Sequence, residues 1–183
     1  NFEEEEPVAT LMRLTGGIGP DRIIDAVGVD AVKPERGPAA KTVKPMENQF
    51  EKEVKQVAPE TNPKGPNWRP GDAPSMALQW AVEAVAKAGT IAIIGVYPET
   101  ARSFPIGMAM MKNLTIKMGN CPHRKYLPML VDLVASGAVD PSNILTKVEP
   151  ITNVMDAYKA FDARQPGWLK VELLPDGIAM PAR

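Results

Sequence analysis

Hydrophobic and polar residues alternate along the chain with the periods of helices and strands. Residues 7–15 carry apolar side chains on one helical face, which predicts a helix that Gly16 and Gly17 end. Residues 19–30 then carry an apolar core, which predicts a buried strand whose carboxyl end, at Gly28, consists of small residues. A helix followed closely by a strand is typical of a parallel α/β sheet.

The same pattern returns after residue 74. Residues 75–89 are rich in alanine and predict a helix that Gly89 ends, and residues 90–97 predict a central parallel strand because both faces are apolar. The remaining predictions are a helical turn over 105–113, a third strand over 114–120, helices over 126–137 and 153–164, and a final strand over 168–174. For the two helices we expect Pro128 in the first turn of one, and Asn153 as the cap and Ile151 as a staple of the other.

Residues 30–74 interrupt this order. They are dense in proline, glycine and lysine, which indicates irregular chain inserted between a strand and the following helix. Within them, Met46, Phe50, Val54 and Val57 recur at intervals of four, four and three residues, which predicts a short amphipathic helix laid on the surface. Loops of this length often serve as lids or interface arms.

Composition narrows the function classes. The 183 residues are 44% hydrophobic and 23% charged with a net charge of −1, so the chain has the composition of a folded domain and no basic nucleic-acid footprint. No apolar run approaches the ~20 residues that span a bilayer, so no membrane partner is expected. The single cysteine, Cys121, excludes an intrachain disulfide and favours a reducing compartment, for which we expect the cytoplasm.

The glycine-rich stretch at residues 16–21 does not predict a phosphate-binding loop. Such a loop follows a strand and opens a helix, whereas these glycines follow a helix and precede a strand. The predicted strands instead end at Gly28, Gly95 and Gly119, and ligands of doubly wound sheets bind at carboxyl strand ends. The fold class we predict is α/β: half of a doubly wound, Rossmann-type parallel sheet with flanking helices and a proline-rich insertion.

Four stretches in order resemble one known family: "DAVG", "AGTIAIIGVY", "LTIKMGNCPHRKYLPMLVDLVASG" and "DPSNILTKVEPITNVMDAYKAFDARQPGWLKVELLP". Together they resemble the carboxyl-terminal half of the zinc-type medium-chain alcohol dehydrogenases, with the closest likeness to formaldehyde dehydrogenases. The resemblance covers residues 1–29 and 75–175. It implies a longer parent enzyme whose zinc-binding domain and phosphate loop lie upstream of Asn1. Residues 1–175 would then be part of one dinucleotide-binding domain, and residues 176–183 a tail.

The resemblance also implies which residues contact NAD. Three groups at the strand ends would lie under the riboses, along the nicotinamide and around its carboxamide, and one basic residue would reach the pyrophosphate: Ala26, Val27, Gly28; Gly95, Val96, Tyr97; Met118, Gly119, Asn120; and Lys170. Small residues suit these places because side chains would fill the volume of the ligand. Two alternatives stay open: the glycines relieve packing at the strand ends, and Lys170 simply faces solvent.

A metal site is not expected in this chain. Structural zinc needs four ligands and catalytic zinc three, whereas Cys121 and His123 supply one each. The parent's zinc therefore has no ligands here, and we assign no catalytic residue. Met108, Met110, Met111 and Met118 are expected to fill the core.

The function expected from the resemblance is that of a fragment of an NAD-dependent alcohol or formaldehyde dehydrogenase. It would contribute nicotinamide-side contacts, act on a small alcohol or aldehyde only within the parent enzyme, and pair with a second copy through residues 101–106 as a homo-oligomer. One alternative is a stand-alone, non-catalytic nucleotide-binding or assembly module. A further alternative is an NADP-dependent parent acting on polyols or secondary alcohols.

Overall fold

The computed structural model describes residues 1–58, residues 69–175 and Gly177. Among these residues, contacts divide the chain into two compact units, one formed by 1–58 and 69–120 and the other by the residues from Cys121 onward. The single dinucleotide-binding domain expected over 1–175 stays a prediction. The expected tail, 176–183, lies outside the described residues except for Gly177.

The first unit is built on a sheet of three parallel strands, β1 (Arg22–Asp25), β2 (Thr90–Ile93) and β3 (Thr115–Met118), with β2 in the centre. Ile23 pairs with Ile91, which pairs with Ile116, so the three strands run in one direction in one register. This arrangement confirms the predicted α/β fold class. Because the strands are parallel, their carboxyl ends meet at the same edge of the sheet.

Helices α1 (Pro7–Leu14), α2 (Gly37–Val43), α3 (Glu47–Val57), α4 (Met76–Ala84) and α5 (Ile106–Met111) belong to the same unit. Helix α1 has a proline in its first turn, and Glu6 caps it by accepting a hydrogen bond from the amide of Ala9 at 2.5 Å. It ends as predicted, because Gly16 and Gly17 both adopt positive φ angles and the amide of Gly17 donates to the carbonyl of Met12 at 2.7 Å.

The main core lies between α4 and the sheet. Val82 and Val85 pack against Ile91 and Ile93 of the central strand, and burial of each such side chain contributes roughly 1.5–3 kcal/mol. Helix α4 ends at Ala84, five residues before the predicted end, because Val85 turns into this core.

Two backbone carbonyl oxygens at the end of α4 accept hydrogen bonds from a lysine side chain. Lys112, at the end of α5, donates from Nζ to the carbonyl oxygens of Glu83 at 2.5 Å and Val85 at 2.8 Å. A cation at the carboxyl end of a helix also interacts favourably with the helix dipole. Burial lowers the pKa of the Lys112 ammonium, and nearby Glu83 partly opposes that shift.

The described part of the insertion forms a second core against α4. The amphipathic helix predicted from residues 46–57 is confirmed as α3, but it does not lie on the surface, because Phe50 is only 1% exposed. Phe50 packs with Val43 of α2 and Met76 of α4, and Trp80 lines the same cluster. Helix α2 was not predicted, since the surrounding prolines and glycines indicated irregular chain.

Several residues predicted to be buried are exposed. Strand β1 is shorter than the predicted strand, and Ile24, which points away from α4, is 68% exposed. The prediction that four methionines fill the core is wrong, because all four expose large parts of their side chains: Met108, Met110, Met111 and Met118. The short helix α5 buries Ala109 instead, which leaves its methionines on the outer side.

The second unit contains helices α6 (His123–Ala135) and α7 (Val154–Asp162) and two parallel strands, β4 (Lys147–Pro150) and β5 (Val171–Leu174). The predicted helix around residue 153 and the final strand are confirmed as α7 and β5, whereas β4 was not predicted. Asn153 occupies the cap position, but its side chain donates to Glu149 at 3.2 Å rather than capping the helix. Pro128 lies in the second turn of α6, so the first-turn prediction is wrong.

Candidate functional site

The ends of β1 and β2 approach each other so closely that only glycine fits between them. A Cβ atom on Gly95 would lie 2.2 Å from the amide nitrogen of Gly28, and one on Gly28 would lie 2.4 Å from the nitrogen of Val96. Gly28 also has a φ angle of 63°, which side chains disfavour. Contact between the two backbones therefore accounts for both glycines, which supports the packing alternative without testing a role in cofactor binding.

One buried carboxylate connects these two strand ends. Asp25 is the last residue of β1 and is 4% exposed. Its Oδ1 accepts hydrogen bonds from the amides of Val27 at 2.9 Å and Gly28 at 3.1 Å. Its backbone oxygen accepts from the amides of Ile94 at 2.9 Å and Gly95 at 2.8 Å. Asp25 thereby fixes the first residues of both loops.

The remaining carboxylate oxygen of Asp25 holds a tyrosine. The hydroxyl of Tyr97 donates to Oδ2 of Asp25 at 2.7 Å, so this side chain points into the protein. Burial raises the pKa of Tyr97 far above its ordinary value, and the hydrogen bond to Asp25 raises it further because ionised tyrosine could not donate. Tyr97 was predicted as a ligand contact; the observed contact of its hydroxyl is with Asp25.

Sequence reasoning missed Asp25. The signal available was a carboxylate placed inside an apolar strand, in "RIIDAVG", directly before the small residues. An acidic residue at such a place requires hydrogen-bond partners, since a buried charge without partners is costly.

Asp25 and Tyr97 face the interior of the unit, whereas most of the other residues predicted to contact the cofactor are exposed at the open carboxyl edge of the sheet. Val96 is 76% exposed, and the exposed positions also include Ala26, Val27, Met118, Gly119 and Asn120. A Cβ atom on Gly119 would meet no atom within 4 Å, so the chain itself leaves the space beside it open. Exposed backbone and small apolar side chains are chemically suited to the sugar and ring faces of a dinucleotide. The residues present therefore fit the nicotinamide-side part of such a cofactor.

Lys170 belongs to the second unit, where its side chain is exposed. Its backbone nitrogen and oxygen both bond to the hydroxyl of Thr146 at 3.0 Å, which ties the chain before β5 to the chain before β4. Its predicted contact with the pyrophosphate stays a prediction.

A small cavity lies behind the open edge, between α3 and the loop after β2. Its volume is about 10 Å³, enough for roughly one water molecule. Six polar side chains line it: Glu53, Gln56, Ser75, Tyr97, Arg102 and Ser103. The Glu53 carboxylate is almost fully buried and accepts from Nε2 of Gln49 at 2.6 Å and the amide of Ser75 at 3.3 Å.

The part of the chain that the structure describes contains no candidate metal site. There, histidine, cysteine, aspartate and glutamate side chains do not gather in groups of three or more that could hold an ion, and Cys121 is exposed. Within the same residues, the helices are too short or too polar to cross a bilayer.

The sequence is similar to curated zinc-type alcohol dehydrogenase-like proteins. It is 29% identical over 175 residues to the uncharacterized protein AdhB of Bacillus subtilis, which covers 96% of this chain and 40% of that protein. A Schizosaccharomyces pombe relative is 36% identical over 100 residues, covering 55% of this chain and 23% of the relative. The chain thus spans less than half the length of these relatives. No protein-family model matches it.

Solved structures show the same fold. The alcohol dehydrogenase TADH from Thermus sp. ATN1 matches with a TM-score of 0.58 at 23% identity, over 96% of this chain and 38% of that one. A structure described as an NAD-dependent alcohol dehydrogenase matches with a TM-score of 0.51 at 17% identity, over 94% of this chain and 36% of that one.

Proposed function

We propose that this chain is the carboxyl-terminal part of the cofactor-binding region of a zinc-type medium-chain alcohol dehydrogenase. One observation carries the proposal: three parallel strands bring their carboxyl ends to one open edge, in a chain similar over 96% of its length to a zinc-type alcohol dehydrogenase-like protein. In folds of this kind, ligands bind at that edge of the sheet.

The residues at the edge would hold the nicotinamide half of NAD. Val27 and Val96 offer exposed apolar surface, and the exposed backbone beside Gly119 offers hydrogen-bonding groups without a side chain in the way. When bound, NAD supplies the hydride acceptor for oxidation of an alcohol. Lys170 would neutralise charge on the pyrophosphate. Ligands for zinc would come from a catalytic domain outside these 183 residues.

The substrate we propose is a small alcohol or aldehyde, with formaldehyde as one member of the class, in a cytoplasmic enzyme. We also propose that the parent pairs with a second copy beside residues 101–106. That segment has no regular structure before α5 begins at Ile106, and Phe104 packs against the main core between α4 and the sheet. The exposed side chains of Ile106, Met110 and Met111 supply the apolar surface that such pairing would cover.

The activity, cofactor preference and length of the protein encoded by the complete reading frame distinguish the proposed function from its alternatives. We expect it to reduce NAD in the presence of a small alcohol and zinc, and the 183-residue chain alone to be inactive. Val96→Glu should weaken NAD binding by placing a carboxylate at the open edge, whereas Thr100→Glu, at another exposed position in the same loop, should not. A preference for NADP would favour the polyol or secondary-alcohol alternative. A complete product no longer than this chain would overturn the proposal and favour the stand-alone module.

A further inference from the structure

We propose that Asp25 and Tyr97 act as a positioning pair, which holds the loops after β1 and β2 in the arrangement that the cofactor requires. This inference rests on the proposed function, because it assigns the control of cofactor affinity to residues behind the open edge rather than on it. The pair reassigns Tyr97 from a direct ligand contact to a residue that acts through Asp25.

Five hydrogen bonds converge on Asp25. Its two carboxylate oxygens and its backbone oxygen together accept four amides and one hydroxyl, all within 3.1 Å. Two amides belong to the loop after β1, whereas the other two amides and the hydroxyl belong to the segment after β2. A shift of either loop therefore changes the bonds that hold the other one.

The tyrosine hydroxyl is the side-chain donor that Oδ2 of Asp25 receives from the loop after β2. The ring of Tyr97 packs against the main core between α4 and the sheet, and a phenylalanine ring would occupy the same place. Without the hydroxyl, however, Oδ2 of Asp25 would lose its 2.7 Å donor while the residue stays buried. An unsatisfied buried carboxylate oxygen is unfavourable, so the loops would move to let in water or another donor.

The insertion contributes a carboxylate close to the pair. Glu53 of α3 and Tyr97 line the same small cavity, and the negative charge of Glu53 adds to the effects that raise the pKa of Tyr97. The raised pKa therefore keeps the hydroxyl a donor to Asp25 even above the ordinary tyrosine value of about 10. Glu53 also accepts from the amide of Ser75, the cap position of α4, so the insertion supports the site from behind.

The test compares Tyr97→Phe with Tyr158→Phe in the product of the complete reading frame. Tyr158 is an exposed tyrosine of α7 and serves as the matched control. Hydrogen exchange at the amides of Gly28 and Gly95 reports loop order, NADH fluorescence titration reports affinity, and thermal unfolding reports stability.

We expect Tyr97→Phe to speed exchange at both amides and to weaken NADH binding about fivefold, as loss of one net hydrogen bond does. Tyr158→Phe should change neither readout nor the melting temperature, whereas Tyr97→Phe should lower the melting temperature modestly because Oδ2 of Asp25 loses its donor. Unchanged exchange in Tyr97→Phe overturns the pair, and faster exchange with unchanged affinity overturns its positioning role. Absence of NADH binding by the wild type overturns the proposed function instead, while the exchange readout still decides whether the pair orders the loops.

Discussion

Replacing Phe50 by alanine tests whether the insertion is a structural part of the first unit. Phe50 is 1% exposed and packs among Val43, Met76 and two alanines, so its ring has no path to solvent. Truncation of a buried phenylalanine to alanine costs about 3–5 kcal/mol, the sum of lost transfer free energy and an unfilled cavity. Whole domains are stable by only about 5–15 kcal/mol, so the expected loss is a large fraction of the total.

Urea unfolding followed by far-ultraviolet circular dichroism measures this loss. With a urea dependence of about 1–3 kcal/mol per molar, Phe50→Ala should lower the unfolding midpoint by at least about 1 M. Phe50→Leu, which preserves most of the volume, should cost less than about 1.5 kcal/mol and keeps the test possible if the alanine variant does not fold. Glu51→Ala, at the adjacent exposed position, should lie within about 0.5 kcal/mol of the wild type.

A Phe50→Ala midpoint equal to that of Glu51→Ala would refute the reasoning. It would mean that α3 is the surface helix that its amphipathic pattern alone predicts. Hydrogen exchange along α3 provides an independent readout, because the reasoning requires its amides to exchange faster in Phe50→Ala than in Glu51→Ala.

Three further outcomes are expected. Gly95→Ala should destabilise the fold by roughly 1–3 kcal/mol in chemical denaturation, because its Cβ would overlap backbone, whereas Gly107→Ala, with open space in helix α5, should stabilise it by about 0.5–1 kcal/mol. The raised pKa of Tyr97 means that, above the ordinary tyrosine value of about 10, the unfolded chain releases a proton that the folded chain keeps. Stability should therefore fall above that pH, and less steeply in Tyr97→Phe than in Tyr158→Phe when denaturation is repeated along a pH series. Lys112→Met, which removes the donor to two carbonyls at the end of α4, should lower the thermal midpoint; an unchanged midpoint would contradict the capping role.

The sequence predicted those helices and strands that are determined by residues within or next to the element itself. Strand β2 was predicted because a run of apolar residues on both faces can be recognised without knowing its partner strands. Helix α1 was predicted because its apolar face and the glycines that end it are adjacent in the sequence. Strand β4 was missed, since four residues that include a lysine and a glutamate have no apolar pattern and exist as a strand only through pairing with β5.

The second core and the centre of the candidate site could not be predicted in the same way. Phe50 meets Ala73 and Met76 across more than twenty residues of sequence, and the pattern around each gives no sign of the others. Tyr97 and Asp25 are separated by 72 residues, and only the parallel pairing of β1 with β2 brings them together. The sequence correctly predicted parallel strands, whose carboxyl ends meet at one edge of the sheet. It could not predict the hydrogen bonds of Asp25 at that edge, because these depend on the direction in which each side chain points.

Backbone hydrogen bonds close the base of the insertion at residues 30–74. The amides of Gly71 and Ala73 donate to the carbonyls of Val29 and Ala31 at 2.9 and 3.0 Å, so the first and last residues of the insertion are held together at its base. The closure entropy of a loop grows only slowly with its length once the ends are held. Relatives could therefore lengthen or shorten the far side of the insertion while the strand-to-helix connection beneath it keeps its geometry.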